Sequence, residues 1–142
     1  MAVKKLRKKS PCYCANLRKA ASAVTEHYNA CLASFGITVP QFSLLRNLQY
    51  IGASTVTELA EQVELERSTL ARTLKPLMEA GYIEDLADVG TRNRRLQISA
   101  DGEALLDRAA PFWKKAQTDL EQVFGEKQLV EFMRALRKLS EL

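Results

Sequence analysis

The sequence holds a single histidine, His27, and no glycine-rich loop of the kind that cradles a phosphate. A Ser-His-Asp arrangement could draw on nothing but His27, and a lone helical histidine is ordinarily a hydrogen bonder, so no enzyme and no cofactor are expected. Long apolar runs are missing too. None approaches the roughly 20 residues needed to span a bilayer, and the basic start "MAVKKLRKK" leads into no signal-peptide hydrophobic stretch. The reading is a cytoplasmic protein without membrane contact, whose three cysteines are reduced by default. Acids are absent from the first nine positions, where Lys4, Lys5, Arg7, Lys8 and Lys9 stand, which leaves 16 basic and 17 acidic groups for the rest of the chain. Residues 1–10 therefore read as a flexible basic arm on a near-neutral body, suited to phosphate contact or to plain solvation.

What is present is the mixture of a folded protein: 142 residues, 46% hydrophobic and 27% charged. That length fits one compact domain, completed by a partner subunit if its helices need one. From Pro11 to Phe35 the residues Cys14, Leu17, Ala21, Val24, Tyr28, Cys31 and Phe35 step by three and four, one stripe of a long amphipathic helix. Gly36 ends it. Thr38, Pro40 and Gln41 then open a second helix, from about Val39 to Tyr50, through a capping box. Thr55 and Glu58 form another box before the short helix "TELAEQ", residues 64 and 65 turn, and "ERSTLARTLKPLMEAG" is a helix that Pro76 should bend. "YIEDLADVGTRNRRLQIS" reads as a β-hairpin with a long tip. Ser99 caps a further helix striped by Leu105, Ala109, Phe112, Ala116, Leu120 and Val123. A last helix holds Leu129, Phe132, Met133, Leu136 and Leu139.

A short helix, a tight turn, a second helix rich in hydroxyls and arginine, and an arginine-bearing hairpin follow the layout of a winged helix-turn-helix. The fold class is mainly α with a small β-hairpin wing. Arg67, Ser68, Thr69, Arg72 and Thr73 would lie along the exposed N-terminal half of the second helix, while Leu70, Leu74 and Leu77 face the core. Short hydroxyl side chains let the backbone approach phosphates, and arginine makes the two-pronged contact to guanine. Arg92, Arg94 and Arg95, at or beside the hairpin tip, could reach the adjacent minor groove.

These segments resemble the MarR-type (multiple-antibiotic-resistance) transcriptional regulators. "GITVPQFSLLRNL" is similar to that family's second helix, "TELAEQVELERSTLARTLKPLMEAGYIE" to its reading head, and "TRNRRLQISADG" to its wing and the start of the next helix. "RST", the "L..AG.I" closing the recognition helix and the wing arginines before "SADG" carry the likeness. It implies an obligate homodimer joined through the terminal helices, residues 11–36 and 100–142, around a DNA-binding region over 38–98. It also implies binding to double-stranded DNA at a pseudo-palindromic operator, and a pocket for a small aromatic or phenolic effector. By position, Arg67, Ser68, Thr69 and Arg72 belong to the recognition helix, and Arg92 with Arg94 or Arg95 to the wing. The family's wing sets an aspartate two residues before its tip arginine; here Asp88 precedes Arg92 by four, so the wing is longer.

Apolar stripes at both ends of so short a chain support a dimer independently, since pairing with a second copy would bury them. The effector pocket would draw on Cys14, His27, Phe42, Arg46 and Phe112. Cys12 and Cys14 in C-x-C spacing, without a second ligand pair, make a weak metal signal. His27 and Cys31 lie about 20 and 25 Å along one helix from Cys14, so no metal site and no disulfide are expected. "CYCA" is similar to the organic-hydroperoxide-sensing branch of the family, in which Cys12 would be the reactive thiol, favoured by the helix N-terminus and nearby lysines. The function read from the sequence is a ligand-released repressor. The alternatives are a thiol-based peroxide sensor and a winged-helix module that binds protein rather than an operator.

Overall fold

The computed structural model describes residues 9–86 and 94–142; most of the basic arm and the hairpin tip, with Asp88 and Arg92, lie outside the described residues. Helix α1 (Tyr13–Leu32) runs into a 3₁₀ turn, Ala33–Phe35, closed by Gly36 in the left-handed region at φ 68°. Helix α2 (Val39–Ile51) starts in the capping box read from the sequence: the Gln41 amide donates to Thr38 Oγ1 at 3.4 Å, and the Thr38 amide donates to Gln41 Oε1 at 2.9 Å. The Val39 amide also donates to Asn29 Oδ1 at 2.8 Å, which fixes α2 against the end of α1.

After Gly52 come strand β1 (Ser54–Thr55), helix α3 (Val56–Val63) and helix α4 (Arg67–Glu79). The Thr55–Glu58 capping box opens α3 as expected. Helix α4 runs on through Pro76, which sits exposed in its last turn rather than dividing the helix. The Arg72 carbonyl that loses its partner there is on the solvent side, where water can replace the bond. Strands β2 (Ile83–Asp85) and β3 (Arg95–Ile98) form the hairpin, with Ile83 opposite Ile98 and Asp85 opposite Leu96. β1 adds to the other side of β3, pairing Ser54 with Leu96, so the antiparallel sheet is ordered β1-β3-β2. This third strand was not expected; two residues are too short to show a period, and only the pairing with β3 defines it.

Helix α5 (Ala100–Ser140) is two helical segments interrupted at Gly125, φ 73° and ψ 165°, in agreement with the two helices read from the stripes. Ser99 caps it, accepting from the Gly102 amide at 3.0 Å and donating to the Gly81 carbonyl at 2.6 Å. One apolar cluster joins α2, α3, α4, β3 and the first half of α5, with Leu45, Leu48, Leu59 and Leu70 wholly buried beside Phe42, Leu77, Leu96 and Leu105. Each such side chain contributes about 1.5–3 kcal/mol of hydrophobic free energy. The stripe on α1 behaves differently: Tyr28 and Leu32 are buried, whereas Leu17 and Val24 stay exposed, as do Phe112, Val123, Val130, Met133 and Leu139 on α5. Among the described residues no helix is long and apolar enough to cross a membrane.

Candidate nucleic-acid interface

Helices α3 and α4 are joined at Glu64, which takes the left-handed conformation at φ 54° so that the chain reverses in a minimum of residues. Below the turn, Leu59 of α3 and Leu70, Leu74 and Leu77 of α4 are buried in the common core, which fixes the two helices to each other. The opposite face of α4 is polar. Arg67, Ser68 and Arg72 are exposed, as the spacing implies, whereas Thr69 is half-buried rather than fully exposed. Arg67 donates to Thr57 Oγ1 across the turn, tying the first turn of α4 to α3. Arg72 Nη2 is 3.5 Å from Thr69 Oγ1 one turn back, so its guanidinium lies along the outer face of the helix. Glu66, the residue before α4, makes no side-chain cap. The amides of the first turn are therefore left to meet an outside acceptor, and a phosphate is the acceptor such a helix start favours.

Thr73 differs from its neighbours. Its hydroxyl donates to the Thr69 carbonyl at 3.0 Å and it is half-buried, so it braces the helix. In the hairpin the arginines divide. Arg94 Nε lies 3.4 Å from Asp85 Oδ2, an ion pair between the two arms of the hairpin. Arg95 is a residue of β3 opposite Thr55, and its guanidinium donates to the Ala53 carbonyl at 3.3 Å. It anchors the sheet to the start of α3 and does not stand at the tip. The strand places Leu96 inward, and that alternation directs Arg95 to the opposite, solvent-facing side of this central strand. Arg92 lies outside the described residues. Sequence reasoning missed Lys75, exposed one turn beyond Arg72, which lines a cleft with Arg94 between α4 and β3. Its three-residue offset from Arg72 was the available signal.

Of the residues named for an effector pocket, Phe42 and Arg46 come together, whereas Cys14, His27 and Phe112 have other neighbours. Phe42 is buried and stacks on Trp113, centroids 5.8 Å apart, and the Arg46 guanidinium lies 5.6 Å from the Phe42 ring and 5.8 Å from the Trp113 ring. Trp113, next to the expected Phe112, was missed because the partner ring is remote in sequence. Phe112 instead packs edge-on against Phe35 at the end of α1, centroids 5.1 Å apart. Cys14 is exposed near the start of α1, and His27 pairs with Asp119 at 2.8 Å. Lys115 meets the same Asp119 oxygen at 2.8 Å. Hydrogen bonds from Lys115 and then His27 hold the Asp119 carboxyl below the usual carboxylate range. Cys12 is the N-cap of α1, its Sγ accepting from the Ala15 amide at 3.5 Å.

The sequence pattern of the MarR family matches residues 37–95, the span from the start of α2 into β3. An HTH-type transcriptional regulator of Bacillus cereus is 32% identical over 117 residues, 80% of this chain and 78% of the relative. An HTH-type transcriptional repressor of Mycobacterium tuberculosis is 27% identical over 124 residues, 87% of this chain and 89% of that one. Among solved structures, the M. tuberculosis transcriptional regulator MosR in complex with DNA superposes with a TM-score of 0.76 at 30% identity, covering 92% of this chain and 96% of MosR. A polar, arginine-bearing α4 on a leucine core, a paired-strand wing and these relatives agree. The chain belongs to the MarR family of DNA-binding transcriptional regulators, and is not an enzyme.

Proposed function

We propose that the protein is a homodimeric repressor that reads a pseudo-palindromic operator in double-stranded DNA and is released by a small aromatic acid or phenol. The observation that carries the DNA-reading face is the polar side of α4, where Arg67, Ser68, Thr69 and Arg72 stand over buried leucines. Arg94 and the neighbouring Arg92 would serve the minor groove, with Thr73 and Arg95 as braces. Residues 11–36 and 100–142 supply the dimer layer: Leu17, Val24, Val123, Val130, Met133 and Leu139 are apolar side chains that this chain leaves exposed. Pairing two copies removes them from water and sets two reading helices about one turn of DNA apart. The repressor reading is supported by the M. tuberculosis relative, which is described as a transcriptional repressor.

The effector class rests on Arg46. Its guanidinium lies near both aromatic rings and, among the described residues, has no carboxylate within ion-pair distance. An aromatic carboxylate could pair with it in two-pronged fashion and lay its ring beside Trp113. A second reading, thiol sensing, is favoured by the N-cap position of Cys12, where oxidation would disturb the start of α1. Footprinting on the DNA upstream of the protein's own gene tests the whole proposal. Two protected half-sites that vanish with an aromatic acid, and persist with hydroperoxide, are expected. Release by hydroperoxide alone, reversed by reductant, would transfer the sensing role to Cys12; no protection at all would remove the repressor reading.

A further inference from the structure

His27 is too far along α1 from Cys14 to share an ion with it, but a cysteine one turn away is within reach. His27 and Cys31 are four residues apart on α1 and so share one face of the helix. Asp119, 92 residues from His27, reaches that face from α5. One donor atom from each of the three side chains, His27 nitrogen, Cys31 sulfur and an Asp119 oxygen, lies within 4.8 Å of the others. His27 is exposed, and Cys31 and Asp119 are half-buried, so the cluster opens to solvent on one side.

We propose that His27, Cys31 and Asp119 form a site for a borderline divalent transition-metal ion, zinc in the first instance, clamping α1 to α5. The donor set decides the class. Calcium and magnesium prefer oxygen ligands throughout, whereas an imidazole, a thiolate and one carboxylate suit zinc and its first-row neighbours. Tetrahedral bonds of about 2.0–2.3 Å place donors roughly 3.5 Å apart, so the present triangle needs only side-chain adjustment. The 2.8 Å contact of His27 Nε2 with Asp119 Oδ2 opens slightly as the ion replaces the shared proton. Binding forms bonds from the ion to His27 Nε2, Cys31 Sγ and Asp119. The thiol proton passes to solvent, and the single proton of the neutral imidazole moves from Nε2 to Nδ1 through solvent, which frees the Nε2 lone pair for the ion. The fourth position faces solvent and takes a water. Lys115, which now donates to Asp119 Oδ2 at 2.8 Å, is the cation that the metal displaces or shares the carboxylate with.

Cobalt(II) titration of the full chain, kept reduced, tests the site through the thiolate-to-cobalt charge-transfer band. One equivalent per chain should give that band together with the strong visible absorption of a four-coordinate ion. Cys31→Ser should abolish the band, the double variant Cys12→Ser/Cys14→Ser should keep it, and His27→Gln or Asp119→Asn should weaken zinc by at least about tenfold. These side chains are outside the leucine core, and a thermal melt confirms that each variant folds; zinc should raise the melting temperature of the parent and of the Cys12/Cys14 double variant, and leave that of Cys31→Ser unchanged. Absence of the band, its survival in Cys31→Ser, or its loss in the Cys12/Cys14 double variant would overturn the proposal.

Discussion

Replacing Gly102 by alanine sets two effects of opposite sign against each other. Gly102 is inside α5, where helix propensity alone favours alanine by about 1 kcal/mol. A Cβ at this position, however, would lie 2.3 Å from the Tyr82 carbonyl oxygen and 2.7 Å from Ile98 Cγ1. The nearest obstacle is backbone, and that carbonyl accepts the Ser99 amide at 2.9 Å just where the hairpin returns to α5. Relief requires either the strand or the helix to move, at the usual overpacking cost of about 1–3 kcal/mol, with the Ser99 bond worth about 1 kcal/mol more. The net expectation is a loss of about 2 kcal/mol and a melting temperature lower by roughly 4–8 °C. Melts should be run at one fixed protein concentration, because the stability of the proposed dimer would depend on it. Because Tyr82 leads into β2, operator affinity should fall as well. A melting temperature equal to or above the parent's would mean that propensity wins, and that the close packing of α5 on the hairpin is not what holds the wing.

Burial, and after it the Glu121 carboxylate and Cys31, raise the Tyr28 phenol above its usual range. A raised value contributes stability that is whole below the unfolded value of about 10 and is lost as pH rises through the folded one, so Tyr28→Phe should flatten the alkaline limb of urea midpoint against pH. An unchanged slope above pH about 10 would contradict this. Val123→Asp, on an exposed apolar position of α5, should shift the mass measured by light scattering from dimer to monomer, and an undisturbed dimer would move the interface elsewhere.

The local features were legible in the sequence because their signals span three or four residues. Both capping boxes, Thr38 with Gln41 and Thr55 with Glu58, needed only adjacent side chains and backbone. The same holds for the leucines of α4, whose period alone separates the buried face from the arginines. Long-range contacts were not legible. β1 exists only through β3, Phe42 finds Trp113 from another helix, and Arg95 is held by Ala53 across 42 positions. His27 was weighed against the cysteines of the first turn, although its ion-pair partner comes from α5. The polar face of α4 was therefore largely legible in the sequence, whereas the residues chosen by type for an effector meet only in part, Phe42 with Arg46.

The central claim is that α4 reads DNA with Arg72 on its outer face. Fluorescence anisotropy on a footprinted operator fragment, with salt varied, measures it directly for the parent and Arg72→Ala. The parent's affinity should fall steeply and linearly on a log–log plot as lysines and arginines release counterions. Arg72→Ala should lose roughly tenfold to a hundredfold in operator affinity, with its melt unchanged and its binding to random DNA much less affected. Equal operator affinity for the two proteins, or binding indifferent to salt, would contradict the account.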